Sequence, residues 1–255
     1  MEQTNNSNEK RYVAISSMLS RQGAMLEEFR AVIPYLKPDN ARASLRTLIF
    51  EDNVLRRPSL SSRQEIHRKL AERYFREDTP LATARLIQAF QSIEDPTQTG
   101  LIAYAMLVWN DGLCYELGRQ WLASHLMGEP FEATTLDIER ELNFLQNQYP
   151  VIKNWGSITR KRTARHYLSL LRDCGFAHGV ARKSLHKPYI APSVILFITQ
   201  LLIQSGELSY NIVEHPVFQT LGLSVPDVID GLTDLNGQGL IRFYTQGSVV
   251  VIEIP

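Results

Sequence analysis

The chain has 255 residues, with 27 basic and 27 acidic side chains and a formal net charge of zero. Hydrophobic residues make up 44% and charged residues 21%, values typical of globular domains, which exclude a wholly disordered or collagen-like chain. The neutral total argues against a protein that coats nucleic acid indiscriminately, but it leaves open where the charges lie. At this length the chain can form one large domain or two modest ones.

Residues 1–10 are polar and predict a disordered tail without the apolar core of a signal peptide. The longest apolar run, 190–203, includes polar residues and is shorter than the roughly 20 residues that span a bilayer, so it predicts a buried helix and no membrane segment. Two cysteines, Cys114 and Cys174, are too few for a secreted disulfide framework. We expect both to be buried thiols in a cytoplasmic protein.

Hydrophobic periodicity predicts a helical body over 11–150. The predicted helices cover 12–36, 41–50, a segment starting at Ser62, 80–93, 97–109, 112–127 and 134–148. Ser62 and Glu65 have the spacing of a capping box, which predicts the start of the third helix. Trp109, Trp121 and Trp155 lie in apolar helical contexts and are expected in the core rather than as base-stacking platforms.

Residues 151–204 form a second segment, which is basic and is expected to pack on the body. A helix over 159–174, closed by Gly175, is followed by a loop and by the apolar helix 192–204. A winged-helix pattern is weakly visible over 157–190 and is clearer at the C-terminus. There, helices at about 194–206, 208–221 and 225–236 precede two β-rich runs split by 245–247, which is typical of a hairpin.

The predicted fold is therefore mainly α, a helical bundle with a winged-helix-like α+β module over 205–255. The charges are segregated along this chain. Residues 53–76 hold seven basic and two acidic side chains, a net charge of +5, and 153–187 hold nine basic and one acidic, a net charge of +8. Residues 111–149 and 205–255 each carry a net charge of −5. Two basic segments in a neutral protein indicate a localised basic face.

Both basic segments contain helices on which cations can point outward while apolar residues face the core. On the first, a stripe of Ile66, Leu70 and Tyr74 leaves Lys69 and Arg73 on a neighbouring flank. On the second, the cations are concentrated near the helix N-terminus, where free N–H groups also favour phosphate. The candidate nucleic-acid-binding residues are Arg63, Arg68, Lys69, Arg73, Arg160, Lys161, Arg162, Arg165, Arg182 and Lys183.

Other interpretations of the charges stay open. The basic runs, the first in particular, could be solvated faces or internal ion-pair partners of 111–149. The C-terminal helix carries Asp227, Asp230 and Asp234, which would repel phosphate, so its module is expected to bind protein or to pack on the body. A cation site at these carboxylates is disfavoured against a solvated helix face.

No signature of catalysis is present. The sequence has neither a phosphate-binding glycine loop nor a zinc-binding H-E-x-x-H pattern, and Cys114 lacks the local signature of a nucleophile. We therefore expect no catalytic residues, no metal and no cofactor.

Two segments resemble a known family. Asn53-Val-Leu-x-x-x-Ser59-x-x-Ser62 with the basic helix after it, and 157–176, SITRKRTARHYLSLLRDCGF, are similar to two signatures of the BrxA family of BREX bacteriophage-defence systems. The resemblance spans about 15–205 and does not place the last 50 residues. It implies a small, helical, non-enzymatic BREX component, similar in shape to the NusB antitermination fold, that binds double-stranded DNA. The residues carried over are Arg63, Arg68, Arg73, Arg160, Arg162 and Arg165.

The leading hypothesis is a DNA-binding accessory protein of phage defence that contacts phosphates through a basic face. Its acidic C-terminal module would bind another BREX protein or a second copy of the chain. One alternative is a protein-only scaffold or adaptor of a defence complex. Another is a winged-helix transcriptional regulator that uses 157–190 or 205–255.

Overall fold

The structure is a computed structural model and describes residues 14–246 and 249–254. The predicted tail, 1–10, lies outside these residues, as do 247 of the predicted C-terminal turn and 248 at the start of the second predicted β-rich run. The described chain is mainly helical, with one small three-stranded sheet and a two-stranded hairpin.

The helices follow the predicted order from residue 41 onward. They are α1 Leu26–Val32, α2 Ala41–Phe50, α3 Leu60–Tyr74, α4 Pro80–Ser92, α5 Pro96–Asn110, α6 Gly112–Glu116, α7 Ala123–Leu126, α8 Thr135–Leu145, α9 Ser157–Asp173, α10 Pro192–Gln204, α11 Ser209–Ile212 and α12 Val225–Gly237. A π-helical segment, Leu117–Leu122, joins α6 to α7. The predicted helix 208–221 is divided into α11 and a 3₁₀ turn, Pro216–Leu221.

The single helix predicted over 12–36 is wrong. Its described part contains a 3₁₀ turn, Met18–Arg21, then an irregular stretch, then α1. The break lies at 22–25, where Met25 adopts a left-handed backbone conformation with φ of 54°. Side chains of α3 bind the carbonyls of this stretch, which replaces the hydrogen bonds that a continuous helix would form.

The predicted start of α3 is also wrong by one turn. The N-cap is Ser59, whose side chain accepts a hydrogen bond from the Ser62 N–H at 3.2 Å. The Ser62 hydroxyl donates to the Ser59 carbonyl at 2.9 Å instead of capping the helix itself. Ser59 and Ser62 are both good capping residues, and the sequence pattern favoured the one followed by a glutamate.

A continuous apolar core unites the described helices around α5, which is buried along almost its whole length. Cys114 and Cys174 are buried free thiols, as predicted, and burial raises the pKa of both. Trp121 is buried, while Trp109 and Trp155 are partly buried and pack against the core. The apolar run 190–203 forms the buried helix α10, as predicted.

Two strands of the three-stranded sheet lie in the region predicted as a loop after α9, and the third precedes α8. The strands are β1 Glu132–Ala133, β2 Ala177–His178 and β3 Lys183–Leu185, in the antiparallel order β1-β3-β2. A row across the sheet aligns Glu132 with Ser184 and Ser184 with His178. The loop interpretation is therefore corrected to a hairpin, β2–β3, directly after α9.

The C-terminal hairpin is confirmed. Its strands are β4 Arg242–Gln246 and β5 Val249–Glu253, with Phe243 opposite Ile252. The Ile252 side chain is buried, and the Ile252 N–H donates to the Ser209 hydroxyl of α11 at 3.3 Å. The order of three helices and a hairpin over 192–253 thus agrees with the predicted elements. The winged-helix and NusB-like comparisons stay predictions.

Candidate nucleic-acid interface

Helix α9 separates an apolar face from a basic one. Thr163, Ala164 and Tyr167 are fully buried, because the apolar residues repeat with helical spacing against α8 and the Met18–Arg21 turn. The same spacing leaves Lys161, Arg162 and Arg165 exposed on the opposite side. Within the described part of the chain, these three cations form no hydrogen bond or ion pair.

A fourth cation joins this face from a distant part of the sequence. Arg21 lies with Arg162 and Arg165 along a shallow groove of about 320 Å³. We call Arg21, Lys161, Arg162 and Arg165 the basic face. Sequence reasoning missed Arg21, because it lay in a segment predicted to be one long helix and no sequence signal places that segment against α9.

The Met18–Arg21 turn is held to α9 by His166, whose Nδ1 lies 2.7 Å from the Leu19 carbonyl oxygen. Partial burial lowers the pKa of His166, and the positive charges of Arg165 and Arg162 act in the same direction, whereas the bond to Leu19 opposes them. His166 is therefore neutral at pH 7. It donates one fixed hydrogen bond that places Arg21 beside the basic face.

Arg160 lies next to the basic face in sequence but is used inside the fold. Its guanidinium donates to the Trp155 carbonyl at 3.2 Å, the Ile152 carbonyl at 2.9 Å, the Asn143 amide oxygen at 2.6 Å and the Gln146 amide oxygen at 2.8 Å. These bonds tie the start of α9 to α8 and to the turn between them. Arg160 therefore positions the basic face and has little donor capacity left for phosphate.

The predicted basic surface of α3 is only partly present. Arg68 is exposed and forms a bidentate ion pair with Glu72, at 2.9 and 3.0 Å. The Lys69 ammonium pairs with Glu65 at 2.7 Å, and only 18% of the Lys69 side chain is exposed. Arg63 donates to two backbone carbonyls, those of Phe50 and Arg57, and so holds the loop before α3.

Two predicted phosphate ligands are buried, which corrects their assignment. Arg73 is 1% exposed and donates to the Gln22 carbonyl at 2.5 Å, so it cannot share an outward flank with Lys69. Lys183 is 4% exposed, and its ammonium donates to the carbonyls of Gly179, at 2.8 Å, and Val180. Both cations therefore support the backbone, Arg73 the irregular segment after the Met18–Arg21 turn and Lys183 the turn between β2 and β3.

Comparison with known proteins decides the family. The BrxA family model matches residues 14–201. The chain belongs to the BrxA family. The match includes α3, α9 and the whole basic face, and membership associates the protein with BREX defence. The C-terminal module, 205–255, lies beyond the matched residues.

A solved structure of an uncharacterized protein from Magnetospirillum magneticum has a similar fold. The TM-score is 0.59 at 16% sequence identity, and the alignment covers 84% of this BrxA family chain and 100% of that protein. At this identity the similarity concerns the fold alone. No curated protein sequence matches the chain.

The described residues of this BrxA family member contain no group of three or more His, Cys, Asp or Glu side chains that could bind a metal ion. One of the three acidic residues of α12 is used locally. Asp227 forms a capping box with Ser224 and an ion pair with Lys187 at 3.1 Å. Within residues 14–246 and 249–254, no helix has the length and apolar character needed to cross a membrane.

Proposed function

We propose that this BrxA family member is a non-enzymatic component of BREX defence that binds double-stranded DNA through phosphate contacts of its basic face. The observation that carries the proposal is that Lys161, Arg162 and Arg165 are exposed on one side of α9 and have no acidic partner among the described residues. Guanidinium and ammonium groups that have no internal partner can contact DNA phosphates and so release the counterions condensed on the DNA.

The topology around α9 supports this proposal. The helix over 112–126, β1, α8, α9 and the hairpin β2–β3 follow the order helix, strand, helix, helix, hairpin, and the sheet order is β1-β3-β2. We infer a winged helix-turn-helix unit in which α9 is the recognition helix, the element that lies in the major groove in such proteins. This unit around α9, rather than the C-terminal module, thereby combines a shape and a charge that suit DNA binding.

Arg68 and Lys69 would extend the same surface. Met18 lines a groove together with Arg68 and Ala71 of α3, while Arg21, at the end of the same turn, lines a groove with Arg162 of α9. Exposed ion pairs such as Arg68–Glu72 are weak, so a phosphate can compete with the carboxylate. We propose these two residues as peripheral contacts and the basic face as the centre of the interface.

The C-terminal module supports a second role, in binding protein. Its helix α12 presents Asp230 and Asp234 beside a groove of about 500 Å³ that is also lined by Tyr189, which is 75% exposed. Carboxylates repel DNA phosphates but complement a basic protein surface. We propose that this groove binds another BREX protein or a second copy of the chain, and that DNA binding belongs to α9.

The test is a gel-shift salt titration on duplex DNA between about 50 and 200 mM salt. Wild type is compared with Lys161→Glu/Arg162→Glu/Arg165→Glu and with a control, Lys37→Glu/Arg46→Glu/Arg242→Glu, which changes the net charge equally at exposed positions elsewhere. The first variant should lose most of its affinity, and a version with three alanines should lose about 0.9 per contact from the logarithmic salt slope. The control should bind like wild type.

Other outcomes identify the alternatives. A protein-only scaffold would show no retention of DNA at low salt. A transcriptional regulator would keep a strong preference for one site in the presence of excess competitor DNA. If both triple variants weakened binding equally, net charge rather than the basic face would determine affinity, and the assignment of α9 would be wrong.

A further inference from the structure

The tip of the β2–β3 hairpin is a fixed turn. Gly179 has φ of +95°, and a Cβ at this position would lie 2.3 Å from the Arg182 carbonyl oxygen, so only glycine fits. The buried Lys183 ammonium binds the Gly179 and Val180 carbonyls from inside the turn. Backbone groups of a short loop are thus held in one arrangement by a side chain of the adjacent strand.

This fixed turn displays an apolar side chain and a cation. Val180 is 86% exposed, more than any other large hydrophobic residue among those described. Two residues later, the Arg182 side chain is 75% exposed and forms a single contact of 3.3 Å with Glu132, whose side chain is also largely exposed. Because such an exposed ion pair is weak, another anion can replace Glu132 as the partner of Arg182.

The hairpin and α9 are built as one piece. At the end of α9, the Gly175 N–H donates to the Arg172 carbonyl at 3.2 Å, and the Phe176 N–H donates to the Leu171 carbonyl at 2.8 Å. Phe176 is fully buried beside Tyr104, with ring centroids 4.7 Å apart. The direction of β2 relative to α9 is therefore fixed, and a duplex bound along α9 meets the tip in a defined place.

We propose that this tip enters the DNA minor groove beside the site of α9, with Val180 against the sugar walls and Arg182 extended along the groove. The inference rests on the proposed DNA binding. The minor groove, about 6 Å wide, admits side chains of a turn but not a helix. Its negative potential, strongest in A-tracts, attracts arginine, and proteins that bind there combine cations with apolar side chains. Contact with the apolar sugar walls of the groove explains why an exposed valine is present at the tip. Contact with phosphates alone would not explain it.

The experiment measures DNA affinity with and without netropsin, a ligand that fills the minor groove of A-tracts, on a short A-tract duplex. The tip variant is Val180→Ser/Arg182→Gln. Its matched control is Val249→Ser/Arg242→Gln on the C-terminal hairpin, where Val249 is 55% exposed and Arg242 likewise pairs with a glutamate, Glu253. Both variants change only exposed side chains, and circular dichroism checks their folding.

We expect netropsin to weaken wild type and the control by about tenfold, the effect of losing roughly 1.4 kcal/mol of contacts. The tip variant should bind about tenfold more weakly without netropsin and should be nearly insensitive to it. If the tip variant binds like wild type, or netropsin weakens neither wild type nor the control, the minor-groove placement is wrong while DNA binding through α9 stands. If wild type does not bind the duplex at all, the proposed function fails and this inference fails with it.

Discussion

Arginines on one helix have opposite roles according to what lies beside them. In α3, Arg73 is buried and donates to the Gln22 carbonyl, whereas Arg68 lies in solvent next to Glu72. Burial raises the pKa of Asp111, and the charge of Arg73 and the N–H groups of Cys114 and Leu113 oppose that rise. Arg73 therefore stabilises a buried carboxylate and holds the irregular segment before α1.

This contrast predicts different effects on stability. Arg73→Ala should reduce the free energy of unfolding by about 3 kcal/mol, because it leaves a cavity in place of a fully buried side chain and the Gln22 carbonyl without its donor. Arg68→Ala should cost less than about 1 kcal/mol, since its ion pair is exposed. Urea denaturation of the two variants measures the difference. Equal losses would contradict the structural role of Arg73.

At this scale the sequence correctly predicted that three cations of the basic face are exposed. Lys161, Arg162 and Arg165 follow from periodicity, because the buried stripe of α9 leaves them no other side to occupy. Arg73 could not be predicted, since its helical position is adjacent to the apolar stripe and its burial depends on Gln22, 51 residues away. A helical wheel shows which side of a helix is apolar but not which distant segment covers its flank.

At the scale of elements, the four hydrogen bonds of Arg160 distinguish positioning from contact. Arg160→Gln should loosen the first turn of α9 and weaken DNA binding without changing the salt slope, because no phosphate contact is removed. Lys161→Gln should reduce the logarithmic slope by about 0.9. Salt titration separates the two, and amide hydrogen exchange at the start of α9 should rise in Arg160→Gln alone. An equal reduction of slope would mean that Arg160 contacts DNA.

Elements longer than ten residues were predictable, whereas the short strands were not. β1, β2 and β3 contain two or three residues each, too few for an alternating pattern to appear. Their pairing brings 132–133 against 183–185, which requires contacts between segments about 50 residues apart. The sequence therefore showed the winged-helix pattern over 157–190 only weakly, and the strand pairing β1-β3-β2 is visible only in the folded chain.

At the scale of the whole molecule, charge and packing divide the chain differently. The predicted boundary at 204/205 follows charge, but α10 packs both against α4 and α5 of the body and against α12 of the C-terminal module. Gly118 lets the π-helical segment pack closely against the Pro216–Leu221 turn. A Cβ added at Gly118 would lie 2.9 Å from the Thr220 Cβ, which is too close for a larger residue. Charge patterns reveal surfaces, and the core that joins those surfaces follows from tertiary contacts.

The same core makes the folded protein sensitive to acid. Burial lowers the pKa of His67, His166, His186 and His215 below the ordinary value of 6.5. In the unfolded chain these imidazoles bind protons near pH 6.5, whereas in the folded protein they do so only at lower pH. The unfolded state therefore binds more protons, and stability falls as pH decreases from 7 towards 5.

Each histidine should contribute up to about 1.4 kcal/mol per pH unit in this window. The carboxylates with lowered pKa values, Glu65, Asp78 and Asp227, act mainly below it, since their ordinary values are 4.5 and 3.8. Urea denaturation at a series of pH values measures the slope. His166→Gln, whose amide can still donate to the Leu19 carbonyl, should flatten it, and a variant as acid-sensitive as wild type would show that His166 is not among the responsible groups.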